Sequence, residues 1–192
     1  MTAFRPMAAA RVADLGALRY PLRAAPLLEG VRAQVSDDGQ LVGEDLEPIA
    51  NPYVRGLYGR PALAGLDGYL VCGSTAAPDV FKRTRLTLMA RAGNVDVTYY
   101  ATDWRLDESL PFEERARRAQ NVAVDFGQVG PSYRRVKFVL YARIADADEF
   151  AEYADITRRL GYRGVVLRSP RAPYRRGRCT LRSGEMMEYR LP

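Results

Sequence analysis

The sequence predicts an α+β fold with mostly antiparallel sheets, and three observations carry that expectation. Runs rich in β-branched and aromatic residues alternate with segments of helical pattern. The helical segments bring their own caps, and several of the joins are short enough for hairpins. There is no internal repeat and no low-complexity linker, so the 192 residues are expected to form one domain, 1–192, large enough for a proper core.

In chain order, Asn51-Pro52 places a cap and a first-turn proline ahead of Tyr53–Leu57, which predicts a short helix. Residues 66–73, 95–101 and 136–142 read as strands. Pro111-Phe112-Glu113-Glu114-Arg115 opens a helix expected to run to about Val124. Asp146 and Glu149 form an Asp-x-x-Glu cap. Behind it Phe150, Tyr153, Ala154 and Leu160 share one helical face, and Gly161 stops the helix. Gly164–Arg168 reads as a buried strand.

Composition excludes several chemistries. The chain has no histidine, so the commonest general base and metal ligand is missing. Of its 29 basic residues only Lys82 and Lys137 are lysines, and arginine is no nucleophile at neutral pH. A net charge of +6 favours polyanionic partners. Cys72 and Cys179 are far apart in sequence and read as indifferent thiols of a reducing cytosol. No run of about 18 apolar residues is present to span a membrane, and the N-terminus lacks the apolar core of a signal peptide, so a cytoplasmic protein is expected.

Pro26-Leu27-Leu28-Glu29-Gly30-Val31-Arg32 resembles the nucleotide-attachment motif K-x-D-G-x-R of ATP-dependent DNA ligases, with Leu27 at the lysine and Glu29 at the aspartate. Other blocks follow in the family's order. Arg5–Ala9 resembles the opening "RPMLA" of small phage-type ligases, Leu66–Val71 their "LDGELV", and Tyr99–Trp104 their "FYVFDxW". Tyr162–Arg168 resembles "YEGVVLR", Tyr174–Leu181 resembles "YKxGRSTL", and Gly184–Arg190 stands at "GWLLKLK". The resemblance spans nearly the whole chain and implies a nucleotidyltransferase fold.

The departures from the family fall on its chemistry. Leucine has no lone pair, so Leu27 cannot attack an α-phosphate. Tyr69 replaces a glutamate that the resemblance places at ribose or metal, and Thr102 an aromatic that stacks on adenine. Arg163 replaces a metal-side glutamate, Glu188 a lysine on the α-phosphate, and Glu44 a phosphate-binding arginine. Arg190 keeps only the charge of the last lysine, while Gly30, Arg32 and Asp67 survive. A like-charge contact at about 4 Å costs roughly 4 kcal/mol at an effective dielectric of about 20. Together the replacements imply no ATP, no metal and no other cofactor. The exchanged signs of Arg163 and Glu188 predict an ion pair that, with Leu27 and Tyr69, plugs the former pocket.

The expected function is therefore that of an inactive ligase-like pseudoenzyme without an OB-fold domain. Its expected partner is nucleic acid, namely DNA bound without sequence preference, held by Arg168, Arg171, Tyr174, Arg175, Arg176, Arg178 and Arg182. The same arginines also fit a plain solvated surface paired with Glu152, Glu185 and Glu188. The alternative is a phage-encoded inhibitor or adaptor in the host cytoplasm. It would bind a host defence, replication or transcription protein, with Tyr53, Tyr58, Trp104 or Tyr133 as anchors, although ordinary packing explains those aromatics too. A relocated nucleophile at Lys82 or Lys137 is the remaining enzymatic reading.

Overall fold

A computed structural model describes residues 5–130 and 135–192, so Tyr133 lies outside the described residues. The fold is α+β, with two five-stranded, mostly antiparallel sheets. The chain gathers into two compact units, each built on one sheet. The first takes Met1–Leu27, Glu108–Glu114 and Leu140–Pro192; the second takes Leu28–Asp107 and Arg115–Val139.

The sheet of the first unit contains β1 (Ala10–Arg11), β2 (Leu22–Pro26), β8 (Ala142–Ile144), β9 (Gly164–Arg168) and β10 (Met187–Arg190), in the order β1-β10-β9-β2-β8. β1 and β10 run parallel, and the other pairs are antiparallel. All five residues of β9 are buried, as its unbroken apolar run predicts for a central strand. Helix α4 (Ala147–Arg159) covers one face of this sheet. Asp146 accepts from the Glu149 amide at 2.9 Å, and Glu149 in turn accepts from the Ala145 amide at 2.7 Å. Phe150 and Ala154 pack with Leu22, Ala24, Ile144 and Leu167. Burying Phe150 contributes about 1.5–3 kcal/mol.

Leu160 departs from expectation: it is 63% exposed. The helix ends at Arg159, Leu160 serves as its cap, and Gly161 at φ +88° turns the chain away. Thr157 takes the inward position instead, its hydroxyl donating to the Tyr153 carbonyl at 2.7 Å.

The second unit's sheet contains β3 (Val31–Val35), β4 (Leu41–Gly43), β5 (Leu66–Val71), β6 (Thr98–Trp104) and β7 (Val136–Phe138), in the order β4-β3-β5-β6-β7. Helix α1 (Pro52–Tyr58) begins where predicted: Asn51 accepts from the Val54 amide at 3.0 Å, and its Nδ2 donates to the Ala90 carbonyl at 2.9 Å. Tyr58 is fully buried and donates to the Val97 carbonyl, so it belongs to the core and is not a surface anchor. Helix α2 (Val80–Met89) has no counterpart among the predicted elements. Helix α3 (Phe112–Gln128) runs four residues beyond Val124, because Phe126 continues the inward stripe of Arg115, Ala119 and Ala123.

The run 136–142 is not one strand. Val136–Phe138 pairs in parallel with β6, whereas Ala142–Ile144 is the edge of the other sheet. Val136-Lys137-Phe138-Val139-Leu140-Tyr141-Ala142 has no Gly or Pro to mark the break, so its composition reads as continuous.

Candidate functional site

The candidate residues divide between the two units. In the first, Leu27 follows the end of β2, Arg163 immediately precedes β9, and Glu188 and Arg190 lie on β10. Strand register brings these together: the Leu27 amide donates to the Gly164 carbonyl at 2.9 Å, and Gly164 sits opposite Arg190. A side chain at Gly164 would stand 2.7 Å from the Tyr189 carbonyl oxygen and 2.8 Å from Leu27 Cδ2, so the close approach needs glycine.

Leu27 is 5% exposed and packs with Met7, Val166, Tyr174 and Met186. The Leu27 side chain is thus part of an apolar cluster. The expected Arg163–Glu188 ion pair is not formed. Glu188 pairs with Arg190, Nε to Oε1 at 2.5 Å. The reason is strand geometry: positions two apart on β10 share a face, while exposed Arg163 precedes the strand opposite.

In the second unit Arg32 on β3 is held by Asp67 on β5, with Nε to Oδ1 at 3.1 Å and Nη2 to Oδ2 at 2.7 Å. Both side chains are nearly buried. Arg32 lies opposite Tyr69, which is half-buried. Thr102 is the extra residue of a bulge where Asp67 and Gly68 face Asp103 and Ala101. It is buried, and its hydroxyl donates to the Asp67 carbonyl at 3.1 Å. Half-buried Glu29 precedes β3, and exposed Glu44 lies in the turn after β4. Arg32 and Glu44 line a cavity of about 600 Å³ whose apolar wall includes Ile49, Phe81, Leu88 and Met89.

The arginine-rich segment separates into three groups. Arg168 and Tyr174 are buried, at 1% and 5% exposure, which removes both from any surface. The Arg168 guanidinium lies 4.8 Å from the Phe112 ring centre, and the Tyr174 hydroxyl accepts from the Met7 amide at 3.2 Å. Arg175 and Arg176 are exposed but engaged. Arg175 pairs with Glu185 at 3.3 Å, and Arg176 Nε reaches both oxygens of Glu108 at 2.9 Å. Arg171, Arg178 and Arg182 are exposed and have no ion-pair partner among the described residues.

Burial pushes the Cys179 thiol up to about 11, with the Glu185 carboxylate adding to the effect. Cys72 and Cys179 are both free thiols. Among the described residues no helix is long and apolar enough to cross a membrane. No three Cys, Asp or Glu side chains gather there into a metal-sized group. What sequence reasoning missed is the Arg115–Asp103 pair, wholly buried at 2.9 Å. An alternating helix–strand pattern carries no signal for a charge pair formed between α3 and β6.

No family model and no curated protein matches the sequence. Solved structures do. The chlorella virus DNA ligase-adenylate is 25% identical and superimposes with a TM-score of 0.79, over 95% of this chain and 67% of that one. A Lig E DNA ligase is 17% identical at a TM-score of 0.74, covering 98% and 69% of the two chains. The ATP-dependent DNA ligase of bacteriophage T7, solved in complex with ATP, is 13% identical at a TM-score of 0.69, covering 97% and 68%. The chain thus spans about two thirds of the length of these ligases.

Proposed function

We propose that this chain, which superimposes on ATP-dependent DNA ligases, is a catalytically inactive relative of their adenylation domain that binds nucleic acid without chemistry. The observation that carries the first half is Leu27. A packed, 5% exposed leucine stands at the nucleophile's place in the motif, and nothing on that side chain can form a bond to phosphorus.

ATP with a divalent metal fits the residues poorly. Glu188, at the position of a phosphate-binding lysine, pairs with Arg190, the one cation on β10. Arg163 puts positive charge where the family has a metal-side carboxylate, and Glu44 puts negative charge where it has an arginine.

The second half rests on Arg171, Arg178 and Arg182, exposed and without an ion-pair partner among the described residues, whereas Arg175 and Arg176 are already held by Glu185 and Glu108. Guanidiniums without counter-charges are suited to phosphate oxygens, and such binding is independent of sequence and sensitive to salt. The Lig E ligases, described as binding DNA with a minimal scaffold, lend support from a related fold.

A mobility-shift titration with nicked, intact and single-stranded DNA at two salt concentrations tests this reading. Binding at low salt that weakens steeply at high salt is expected, and no binding at low salt overturns it. A second reading, an adaptor or inhibitor that binds a host protein, is favoured by a different observation. Phe81 and Met89 are 51% and 59% exposed on the wall of the cavity of about 600 Å³. Retention of a host protein by wild type but not by Phe81→Asp would support it.

A further inference from the structure

On the sheet face of the first unit opposite α4, a second cavity of about 500 Å³ is lined by Arg19, Tyr20, Arg23, Glu113, Arg143 and Arg171, with Pro21, Ser169 and Pro170 completing its wall. Its construction follows from strand register. Arg23 on β2 lies directly opposite Arg143 on the edge strand β8, and side chains paired in this way project from the same face. Two like charges so placed repel unless an anion lies between or beside them.

The chain itself supplies a single carboxylate to this cavity. Glu113 is taken by Arg23, whose Nε and Nη2 both donate to its Oε1. Arg19, Arg143 and Arg171 are exposed, and none of their side chains has a hydrogen-bond or ion-pair partner among the described residues. Four guanidiniums therefore meet one carboxylate, leaving a surplus of three positive charges.

The frame around them is fixed by backbone bonds. The Glu113 amide donates to the Pro170 carbonyl at 3.1 Å, Ser169 to Gly184 at 2.8 Å, and Ala172 to Ser169 at 3.2 Å. Arg171 is thus carried on a hydrogen-bonded turn, and Arg143 on a paired strand. Planar guanidinium forks match the oxygens of phosphate better than any other common anion, and several on one cavity match several phosphates in a row.

We propose that this cavity is a binding site for an oligophosphate group, with Arg19, Arg143 and Arg171 as its ligands and the Arg23–Glu113 pair as its fixed edge. The size of the cavity and its surplus of charge favour a chain of phosphates over a lone one. A free nucleoside triphosphate and the 5′-triphosphate end of an oligonucleotide carry the same group. The site differs from the nucleic-acid surface of the proposed function, with which it shares only Arg171.

Titration calorimetry with sodium tripolyphosphate, with the full chain and no added divalent metal, tests the assignment. Wild type is expected to bind, Arg19→Gln/Arg143→Gln to bind at least tenfold more weakly, and Arg91→Gln/Arg117→Gln, exposed on the second unit, to match wild type. All the replaced side chains are exposed, and equal melting temperatures confirm that the variants fold. No binding to wild type, or equal binding to the Arg19→Gln/Arg143→Gln variant, overturns the proposal. So does a loss confined to Arg178→Gln/Arg182→Gln. Tighter binding of a nucleoside triphosphate or of a 5′-triphosphorylated oligonucleotide than of tripolyphosphate, lost again in Arg19→Gln/Arg143→Gln, identifies the source and supports the proposal. Mobility shifts of 5′-hydroxyl DNA on the same variants keep the two readings apart. The surface reading fails if Arg178→Gln/Arg182→Gln leaves that shift unchanged, whatever tripolyphosphate does.

Discussion

Three arginines of the second unit and five of the first are used in opposite ways. In the second unit Arg32, Arg105 and Arg115 are each held by an aspartate, namely Asp67, Asp37 and Asp103, and all three guanidinium side chains are nearly or wholly buried. In the first unit Arg19, Arg143, Arg171, Arg178 and Arg182 stand exposed, with no carboxylate partner among the described residues. The same residue type is part of the interior at the first three positions and is available to anions at the other five. Net charge cannot distinguish these uses. What does is whether the fold delivers an aspartate: from the neighbouring strand for Arg32, from β6 for Arg115 on α3, and from a turn for Arg105.

If that contrast is right, the largest effect belongs to the buried pairs. Asp103→Ala strands Arg115 in the interior, and a loss of about 3–5 kcal/mol is expected in urea denaturation. A loss below about 1 kcal/mol would break the comparison. Arg32→Ala should come next, since Asp67 is left buried without its partner; a cost of roughly 2–4 kcal/mol is expected from the same measurement.

The exposed arginines should behave in reverse. Arg178→Ala and Arg182→Ala are expected to leave the melting temperature within about a degree, as surface substitutions do. If each contacts a phosphate, each should flatten the salt dependence of duplex binding by about 0.9 in log–log slope. An unchanged slope would remove the residue from the interface. The smallest effect is expected at the exposed Arg83–Asp79 pair on α2, where Asp79→Ala should cost no more than about 0.5 kcal/mol.

Cys179 sharpens the contrast by titration. Its pKa is raised by burial to about 11, so the folded state holds the thiol proton more tightly than the unfolded chain. The linked stability is fully present at neutral pH and is lost as pH rises from the ordinary thiol range through about 11. At pH 8.5 iodoacetamide should alkylate Cys72 well before Cys179, and equal rates by mass spectrometry would contradict the burial.

Much of the fold was legible because local signals agreed with it. Asn51-Pro52, Asp146-x-x-Glu149 and the apolar run of Gly164–Arg168 each specify their element without help from the rest of the chain. The 136–142 run was not legible, since its composition suits a strand throughout and only pairing partners far away in sequence divide it. The site was legible in identity and not in contact. Leu27 stands out in the motif by its residue type alone, yet that Glu188 would choose Arg190 over Arg163 depends on which face of β10 each side chain takes. Arg168 and Tyr174 looked like surface residues amid a basic run. Their burial follows from packing against Phe112 and Met7, whose positions the run does not encode.

The proposed loss of ligase chemistry can be met head-on by incubating the chain with ATP and a divalent metal and weighing it intact. The mass should be unchanged, both for the wild type and after addition of nicked DNA. An added adenylate on any residue, Lys82 and Lys137 included, would show a nucleophile at work and contradict the account.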